Sequence, residues 1–339
     1  MSTDGPSSNS NQPQIIVNVP PQGGGFFKAW FTRILLSFLV LSVFINFALL
    51  SSNVDMNTGT QEKFVSGDET ASDRIVIIEA NGTIMPPFTE RIIGMVEDAR
   101  DDDNVKGVVL VIDSPGGLVA DSHQIYHRLK QLSAKKPVYV AMKRIAASGG
   151  VYIAMGAGEN GKIFAEPTTW TGSIGVIIPR YDLSAMAEKF GLKSDSLTTG
   201  PFKDSLNMFK PLSEADRELW GAIMDDSFDR FVEIVAEGRK GLDEETVRTK
   251  LATGQVFTAN QALKNGLIDE IAFDDEVVDK LQEDLGLSKV RVVKYTFTPT
   301  VLDVLLGNVE ARDPELFWQK AMESTVPRAM YYCSWLPSL

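Results

Sequence analysis

Residues 144–152 read Arg-Ile-Ala-Ala-Ser-Gly-Gly-Val-Tyr, which places one serine hydroxyl among small side chains directly after a predicted strand. The alanines and glycines around Ser148 leave room for a peptide backbone to approach the hydroxyl, and glycine permits turns that other residues disfavour. Such a serine is either a nucleophile on a strand-to-helix turn or simply part of the turn. A short motif alone does not decide between these two interpretations.

Short apolar runs alternate with helical patterns on the N-terminal side of this stretch. We predict strands at 74–80, 107–112 and 137–141, with helices at 89–101 and 118–132 between them. Strands that alternate with helices of this length predict parallel βαβ units in an α/β fold. Active sites of such sheets gather at the carboxyl ends of the strands. Both glycine turns, Ser114–Gly117 and Ser148–Gly150, fall at such ends.

Composition limits the classes of function that the chain can serve. The 339 residues are 44% hydrophobic, which is enough to bury a sizeable core. The formal net charge of −12 argues against nucleic-acid binding, which depends on neutralising phosphates. Cys333 is the only cysteine, so an intrachain disulfide and a multi-cysteine metal site are both excluded. We therefore expect no nucleic-acid partner and no metal.

The N-terminal region changes from polar to apolar. Residues 1–25 are rich in Ser, Asn, Gln, Pro and Gly, a composition that predicts a disordered tail. Residues 34–50 carry no charged side chain, and with the aromatic residues before them they approach the roughly 20 residues that span a bilayer. Lys28 and Arg33 precede this run, so the positive-inside rule places the N-terminus in the cytoplasm.

We therefore predict a single-pass anchor at 26–50, a linker at 51–73 and a folded domain on the far side of the membrane. The apolar run has two alternative interpretations. A cleaved signal peptide needs a small-residue cleavage site, which the sequence around Ala48 matches poorly. A buried core helix would need a partner surface that the neighbouring sequence does not offer.

A catalytic serine needs a base beside it. The only histidines, His123 and His127, lie on the predicted helix after the first glycine turn, and a Ser-His-Asp triad that uses one of them stays open. They lack the glutamate of a His-Glu-x-x-His metal site, because Gln124 stands in its place. Lys203, after a Gly-Pro turn, is the other candidate base. A lysine accepts a proton at ordinary pH only when it is desolvated or lies beside another cation.

Residues 74 to about 273 resemble the signal peptide peptidase A family, also called protease IV, in its short single-repeat form with a membrane anchor. Four motifs carry the resemblance in order: Asp-Ser-Pro-Gly-Gly at 113–117, Ala-Ala-Ser-Gly-Gly-Val-Tyr at 146–152, Thr-Gly-Ser-Ile-Gly-Val at 171–176 and Gly-Pro-Phe-Lys-Asp at 200–204. Val151 and Trp170 depart from the residues that are usual in the family, and these departures concern the shape of the substrate subsites.

The resemblance implies a role for five residues. Ser148 is the nucleophile, Lys203 is the general base and Ser173 orients Lys203. Gly117 and Gly149 donate their backbone N–H groups to the oxyanion, and each such donor contributes about 2.7–4 kcal/mol in the transition state.

The resemblance also implies the fold and the biological setting. Residues 74–273 are expected to adopt the Clp protease and crotonase fold of repeated parallel β-β-α units, followed by a helical C-terminal extension at 274–339. The implied protein is a serine endopeptidase of a bacterial-type cytoplasmic membrane, with an extracytoplasmic catalytic domain. It degrades remnant signal peptides and other unstructured peptides through an acyl enzyme, needs no cofactor, and forms a homo-oligomeric ring whose neighbouring subunits share sites.

Two alternatives to a peptidase stay open, a non-proteolytic peptide-binding scaffold and a crotonase-like acyl-CoA enzyme.

The C-terminal region has two possible roles. A strand is predicted at 290–297 and a short helix at 314–322, and residues 331–337 are apolar and aromatic. This last segment either docks on the surface of its own subunit or enters the substrate groove of a neighbour and regulates access.

Overall fold

The computed structural model describes residues 25–53, 60–158, 160–297 and 330–332. The chain divides into two compact units, Met1–Asn57 and Thr58–Leu339. Of the first unit the structure describes helix α1 (Gly25–Asn53). No helix among the described residues is long and apolar enough to cross a membrane. The anchor at 26–50 therefore stays a prediction.

The second unit consists of strands and covering helices. Its described strands are β1 (Thr60–Gly67), β2 (Arg74–Asn81), β3 (Val105–Ser114), β4 (Gly116–Leu118), β5 (Val138–Ala147), β6 (Ile163–Ala165), β7 (Trp170–Gly172), β8 (Val256–Thr258), β9 (Glu270–Ile271), β10 (Arg291–Phe297) and β11 (Met330–Tyr332). Its described helices are α2 (Phe88–Asp101), α3 (Val119–Ser133), α4 (Gly149–Ala154), α5 (Ser184–Lys189), α6 (Glu214–Gly238), α7 (Glu244–Thr246), α8 (Ala259–Lys264) and α9 (Asp274–Asp284).

The main sheet has the order β1-β10-β2-β3-β5-β6-β9. Its neighbouring strands are parallel, apart from β1, which is antiparallel to β10. Strand β7 pairs in parallel with the last residues of β5, and β8 pairs antiparallel with β7. A separate two-stranded sheet joins β4 and β11 in antiparallel fashion. The predicted α/β fold of parallel strands is confirmed.

The central strands are buried on both faces, which explains why they read as continuous apolar runs. In β3, Val108 and Leu110 belong to a core that also includes side chains of α2, α3 and α6. The alternate residues Val109 and Val111 point to the other face, into a core that includes Leu281 of α9. The sheet is therefore a middle layer between helices, and its carboxyl edge is where the glycine turns emerge.

The structure differs from the predictions at the ends of the domain. Residues 60–67, predicted as part of a linker, form β1, whose side chains are almost all exposed, so no apolar pattern signals the strand. The extension at 274–339 is not simply helical, because β10 lies inside the main sheet, where Val292 and Val293 are buried. The tail predicted at 1–25, apart from Gly25, and the helix predicted at 314–322 lie outside the described residues.

Helix α6 begins with a reciprocal cap at Ser213. The hydroxyl of Ser213 accepts a hydrogen bond from the backbone N–H of Asp216, and the carboxylate of Asp216 accepts one from the N–H of Ser213. This reciprocal capping satisfies two N–H groups that a helix start otherwise leaves without a partner. The helix positions Ser227 and Phe231 beside the site described next.

Candidate active site

Ser148 occupies a strained turn between β5 and α4. Its φ is 56° and its ψ is −113°, a conformation that residues other than glycine rarely adopt. The backbone N–H of Ser148 donates to the carbonyl of Gly172 at 2.7 Å, and the carbonyl of Ser148 accepts from the N–H of Tyr152 at 3.0 Å. Strain of this kind persists only where surrounding contacts impose it, and it concentrates at functional sites.

The hydroxyl of Ser148 is buried and unpaired. The residue is 1% exposed, and its Oγ has no hydrogen-bond partner among the described residues. A buried hydroxyl without a partner is costly and therefore rare in native proteins. The arrangement fits a group whose partner is a base or a substrate that arrives from elsewhere.

The predicted oxyanion donors lie side by side next to this serine. A Cβ at Gly149 would lie 3.1 Å from the amide nitrogen of Gly117 and 2.7 Å from Oγ of Ser122. A Cβ at Gly116, whose φ is 104°, would lie 2.8 Å from the amide nitrogen of Gly149. The two glycine turns therefore touch backbone to backbone, and only glycine fits at the contact.

Strand β4 presents its backbone to the space beside it that β11 occupies, which we call the groove. On one edge its neighbour is Ile84, which donates to the carbonyl of Gly116 at 2.9 Å and accepts from the N–H of Leu118 at 2.8 Å. On the other edge lies β11, with Tyr331 opposite Gly117. A peptide strand can thus bind β4 by backbone pairing, as in β-augmentation.

Strand β11 occupies this groove and places the carbonyl oxygen of Tyr331 close to the glycines. The carbonyl oxygen of Tyr331 would lie 2.0 Å from a Cβ at Gly116, the same point that lies 2.8 Å from the amide nitrogen of Gly149. The C-terminal segment is therefore found on the β4 strand of its own chain. Residues 333–337 of the predicted tail lie outside the described residues.

The side chain of Tyr331 fills an aromatic pocket. The side chain is fully buried, and its ring stacks on the ring of Tyr152 with the centroids 4.8 Å apart. The centroid of the Phe231 ring lies 4.5 Å from that of Tyr331. The hydroxyl of Tyr331 donates to the carbonyl of Ser227 at 2.7 Å. Burial raises the pKa of Tyr331, so the phenol stays neutral and can donate. Aromatic pairs of this kind stabilise binding beyond the area that they bury.

Ser173 lies close to Ser148 through the backbone. It directly follows Gly172, which accepts the N–H of Ser148, and it has a φ of 51°. The N–H of Ser173 donates to the carbonyl of Gln255 at 2.6 Å, and the residue is 9% exposed. The structure therefore brings the predicted nucleophile and the predicted orienting serine into adjacent turns.

Lys203 is not brought to Ser148 within the described chain. It lies in a turn, its side chain is exposed, and Oγ of Ser148 has no partner among the described residues. The neighbouring Asp204 instead pairs with Lys210 at 2.6 Å. The described part of the chain therefore does not bring Lys203 and Ser148 together as a dyad.

Neither histidine bonds to Ser148. Nδ1 of His123 lies 2.8 Å from the hydroxyl of Tyr152, and Nε2 of His127 lies 3.0 Å from the amide nitrogen of Gln131. Nothing in the described residues therefore supports a Ser-His-Asp triad. Among the residues that the structure describes, no group of His, Cys, Asp and Glu side chains could bind a metal ion.

Sequence reasoning missed the aromatic pocket. Its members, which include Tyr152, Phe231 and Tyr331, come from distant parts of the chain and show no local pattern. The one available signal was Tyr152, which follows Ser148 by a helical turn and so lies over the same site.

Two family profiles match the chain. The profile of peptidase family S49 matches residues 130–288, and that of the Clp protease family matches residues 66–171. An Enterococcus faecium protein named as signal peptide peptidase SppA is 32% identical over 300 residues, or 81% of this chain and 85% of that protein. A Synechocystis protein named as a protease is 38% identical over 203 residues, or 60% of this chain and 71% of its own length. Protease 4 of Salmonella typhi is 36% identical over 253 residues, which are 71% of this chain but 40% of that longer protein.

Proposed function

The chain belongs to peptidase family S49, the signal peptide peptidase A family, and on this premise we propose that it is a serine endopeptidase with Ser148 as nucleophile and Lys203 as general base. Its fold is the α/β fold of Clp protease-like enzymes. The observation that supports the proposal is the pairing of β11 with β4, which brings the Tyr331 carbonyl oxygen and the Gly149 amide nitrogen within 2.8 Å of the same point at Gly116, next to Ser148.

The proposed reaction is acyl transfer to the serine hydroxyl. Neutral Lys203 removes the proton of Ser148 as Oγ bonds to the scissile carbonyl carbon, and the N–H groups of Gly117 and Gly149 stabilise the oxyanion. Lys203 returns the proton to the leaving amine as the C–N bond breaks. Water, deprotonated by Lys203, then attacks the ester, and Ser148 regains its proton when the acid product leaves.

A ring of identical subunits would supply the missing base. In such a ring Lys203 of one subunit reaches Ser148 of its neighbour, which fits an exposed lysine and an unpaired buried hydroxyl. Large apolar side chains in the segment that precedes Lys203 are exposed in the described chain: Tyr181 at 75%, Phe190 at 70% and Leu197 at 98%. Exposed apolar surface of this kind marks interaction sites, and we assign it to a second copy of this chain.

The substrates and the location follow from the same premise. Residues 34–50 carry no charge and Lys28 and Arg33 precede them, so an N-terminal anchor would hold the catalytic domain outside the cytoplasm. Signal peptides left in the membrane after secretion, and other unstructured peptides, would reach it there. An extended peptide fits a groove that binds by backbone pairing.

Peptide cleavage by the detergent-solubilised full chain tests the proposal. We expect cleavage of an unstructured fluorogenic peptide by the wild type and none by Ser148→Ala or Lys203→Ala, with binding retained in both variants. Binding without cleavage by the wild type would favour a scaffold, and hydrolysis of an acyl-CoA thioester in place of the peptide would favour a crotonase-like enzyme. With a peptide that has Leu before the scissile bond, His123→Ala and His127→Ala should leave most of the activity, and a collapse in either would revive the triad.

A further inference from the structure

A histidine stands behind the aromatic pocket that Tyr331 fills. Nδ1 of His123, on α3, lies 2.8 Å from the hydroxyl of Tyr152, on α4. Tyr152 is 1% exposed, and its ring is the surface on which Tyr331 stacks at an interplanar angle of 24°. The hydroxyl of the buried Tyr152 is thus hydrogen-bonded to His123, while the face of the Tyr152 ring contacts Tyr331 of β11.

The orientation of Tyr152 depends on this bond. The edge of Tyr126 meets the Tyr152 ring at 5.6 Å and 79°, and Phe231 lies 5.0 Å away, so packing restricts the ring. The hydroxyl of Tyr152 also interacts with Arg230 and with the hydroxyl of Tyr331. Arg230 can only donate, and Tyr331 leaves when a substrate replaces the C-terminal segment, so His123 is the group of the enzyme that accepts the hydroxyl proton. Without His123 this buried donor would lack an acceptor, which is costly, and the ring would have to tilt to find another acceptor.

The charge state of His123 suits this task. Its pKa is lowered chiefly by burial, with the positive charges of Arg230 and His127 adding to the effect. The imidazole is therefore neutral near pH 7, and in the Nε2–H tautomer its Nδ1 accepts the proton that the Tyr152 hydroxyl donates.

We propose that His123 is a positioning residue that sets the side-chain preference of the peptidase. By holding Tyr152, it keeps a flat wall on which an aromatic substrate side chain stacks, in the position that Tyr331 occupies. Because the Tyr331 carbonyl oxygen and the Gly149 amide nitrogen both lie within 2.8 Å of the same point at Gly116, we assign the selected side chain to the residue just before the scissile bond. This inference rests on the proposed function, since the pocket selects substrates only if Ser148 cleaves peptides.

The test is a competition between two peptides that differ only in having Tyr or Leu before the scissile bond, cleaved by the full chain in one reaction. The ratio of the two kcat/KM values is unaffected by the tail, because occupancy of the groove by Tyr331 slows both reactions equally. We expect His123→Leu and Tyr152→Phe each to lower the Tyr-to-Leu ratio about three- to tenfold, mainly through slower cleavage of the Tyr peptide.

Two control variants separate positioning from general damage. In His123→Asn the side-chain amide oxygen can take the place of Nδ1 as acceptor, so the ratio should return to within about twofold of the wild type. His127→Leu changes the next turn of the same helix, whose histidine bonds to Gln131, and should leave the ratio unchanged.

The outcomes distinguish this inference from the function on which it rests. An unchanged ratio in His123→Leu and Tyr152→Phe, or an equal loss for both peptides, would overturn the role of His123 while leaving the peptidase intact. Absence of cleavage by the wild type, or cleavage that survives Ser148→Ala, would overturn the proposed function and this inference with it.

Discussion

The backbone N–H of Ser148 donates a 2.7 Å hydrogen bond to the carbonyl oxygen of Gly172. This bond ties the turn after β5 to the end of β7 and helps to hold Ser148 at a φ of 56°. Ser173, the residue after Gly172, also has a positive φ, of 51°. Two strained serines therefore lie in adjacent turns, and the fold sustains the conformation that places the hydroxyl of Ser148 at the start of α4.

The strain at Ser148 can be measured as stability. Ser148→Gly and Ser148→Ala should both abolish peptide cleavage, because each removes the hydroxyl. Since glycine adopts positive φ without steric cost, the glycine variant should be more stable than the alanine variant by about 1 kcal/mol, net of the entropy that glycine gains in the unfolded state. Urea denaturation measures the difference, and equal or greater stability of the alanine variant would show that the turn is not strained.

Sharing of the dyad between subunits predicts complementation. A ring that mixes Ser148→Ala and Lys203→Ala subunits should recover about a quarter of the wild-type rate, because about one ordered neighbour pair in four joins an intact Ser148 to an intact Lys203. The two inactive proteins are co-expressed with different affinity tags and the mixed complex is isolated by both tags. If the mixed complex stays inactive while each homo-oligomer remains assembled, the dyad is formed within one subunit.

Removal of the C-terminal segment should relieve competition in the groove. Deletion of the residues after Val326 removes β11, which pairs with β4 where a substrate would bind. A tethered strand competes at an effective concentration of about a millimolar, so its loss should lower KM several-fold and leave kcat nearly unchanged. Tyr331→Ala, which keeps the tail but empties the aromatic pocket, should act in the same direction. An unchanged KM in both proteins would count against this role.

Asp269 supports the fold through an ion pair that pH can break. Its carboxylate accepts hydrogen bonds at 2.9 and 2.7 Å from Arg239, whose side chain is 8% exposed, and one at 2.7 Å from the N–H of Ile163. Burial opposes ionisation of Asp269, but these hydrogen bonds outweigh it and lower its pKa. Its stabilisation is therefore fully present above the pKa of an unfolded aspartate, near 3.9, and is lost as the pH falls through the lower folded pKa.

Asp269→Asn should lower the free energy of unfolding at pH 7 by about 2 kcal/mol, less than for a fully buried pair because Asp269 stays partly exposed. The loss from the substitution should shrink as the pH falls from about 4 towards the lower pKa of folded Asp269, because over this range the unfolded wild-type chain binds a proton that the folded chain does not. Glu270→Gln is the matched control, since its ion pair with Lys280 is exposed and should contribute little to stability. Equal effects of the two substitutions at pH 7 would contradict the account of Asp269.

The parts of the fold that local patterns specify could be read from the sequence. The buried strands appear as apolar runs, and the capped start of α6 appears as Ser213 followed by Asp216. Strand β1 could not be predicted, because its side chains are almost all exposed and it is held by backbone pairing with β10 from the other end of the domain.

The candidate site likewise has parts that a local motif predicts and parts that only the folded chain brings together. Ser148 and the glycines around it follow from a motif at the end of a strand, since a turn of small residues is a local feature. The pairing of Tyr331 with Gly117 and the bond between His123 and Tyr152 join distant segments, and only the folded chain brings those residues together. The dyad of Ser148 and Lys203 stays a prediction, because the described part of the chain does not bring these two residues together.

The central claim is that Ser148 is an activated nucleophile. The most direct measurement is mass spectrometry of the full chain after reaction with a fluorophosphonate probe, which bonds covalently to activated serines. The account predicts a single adduct on the peptide that contains Ser148, and its loss in Lys203→Ala. Absence of any adduct on the wild-type protein, or an adduct on Ser114, Ser122 or Ser173 in place of Ser148, would contradict it.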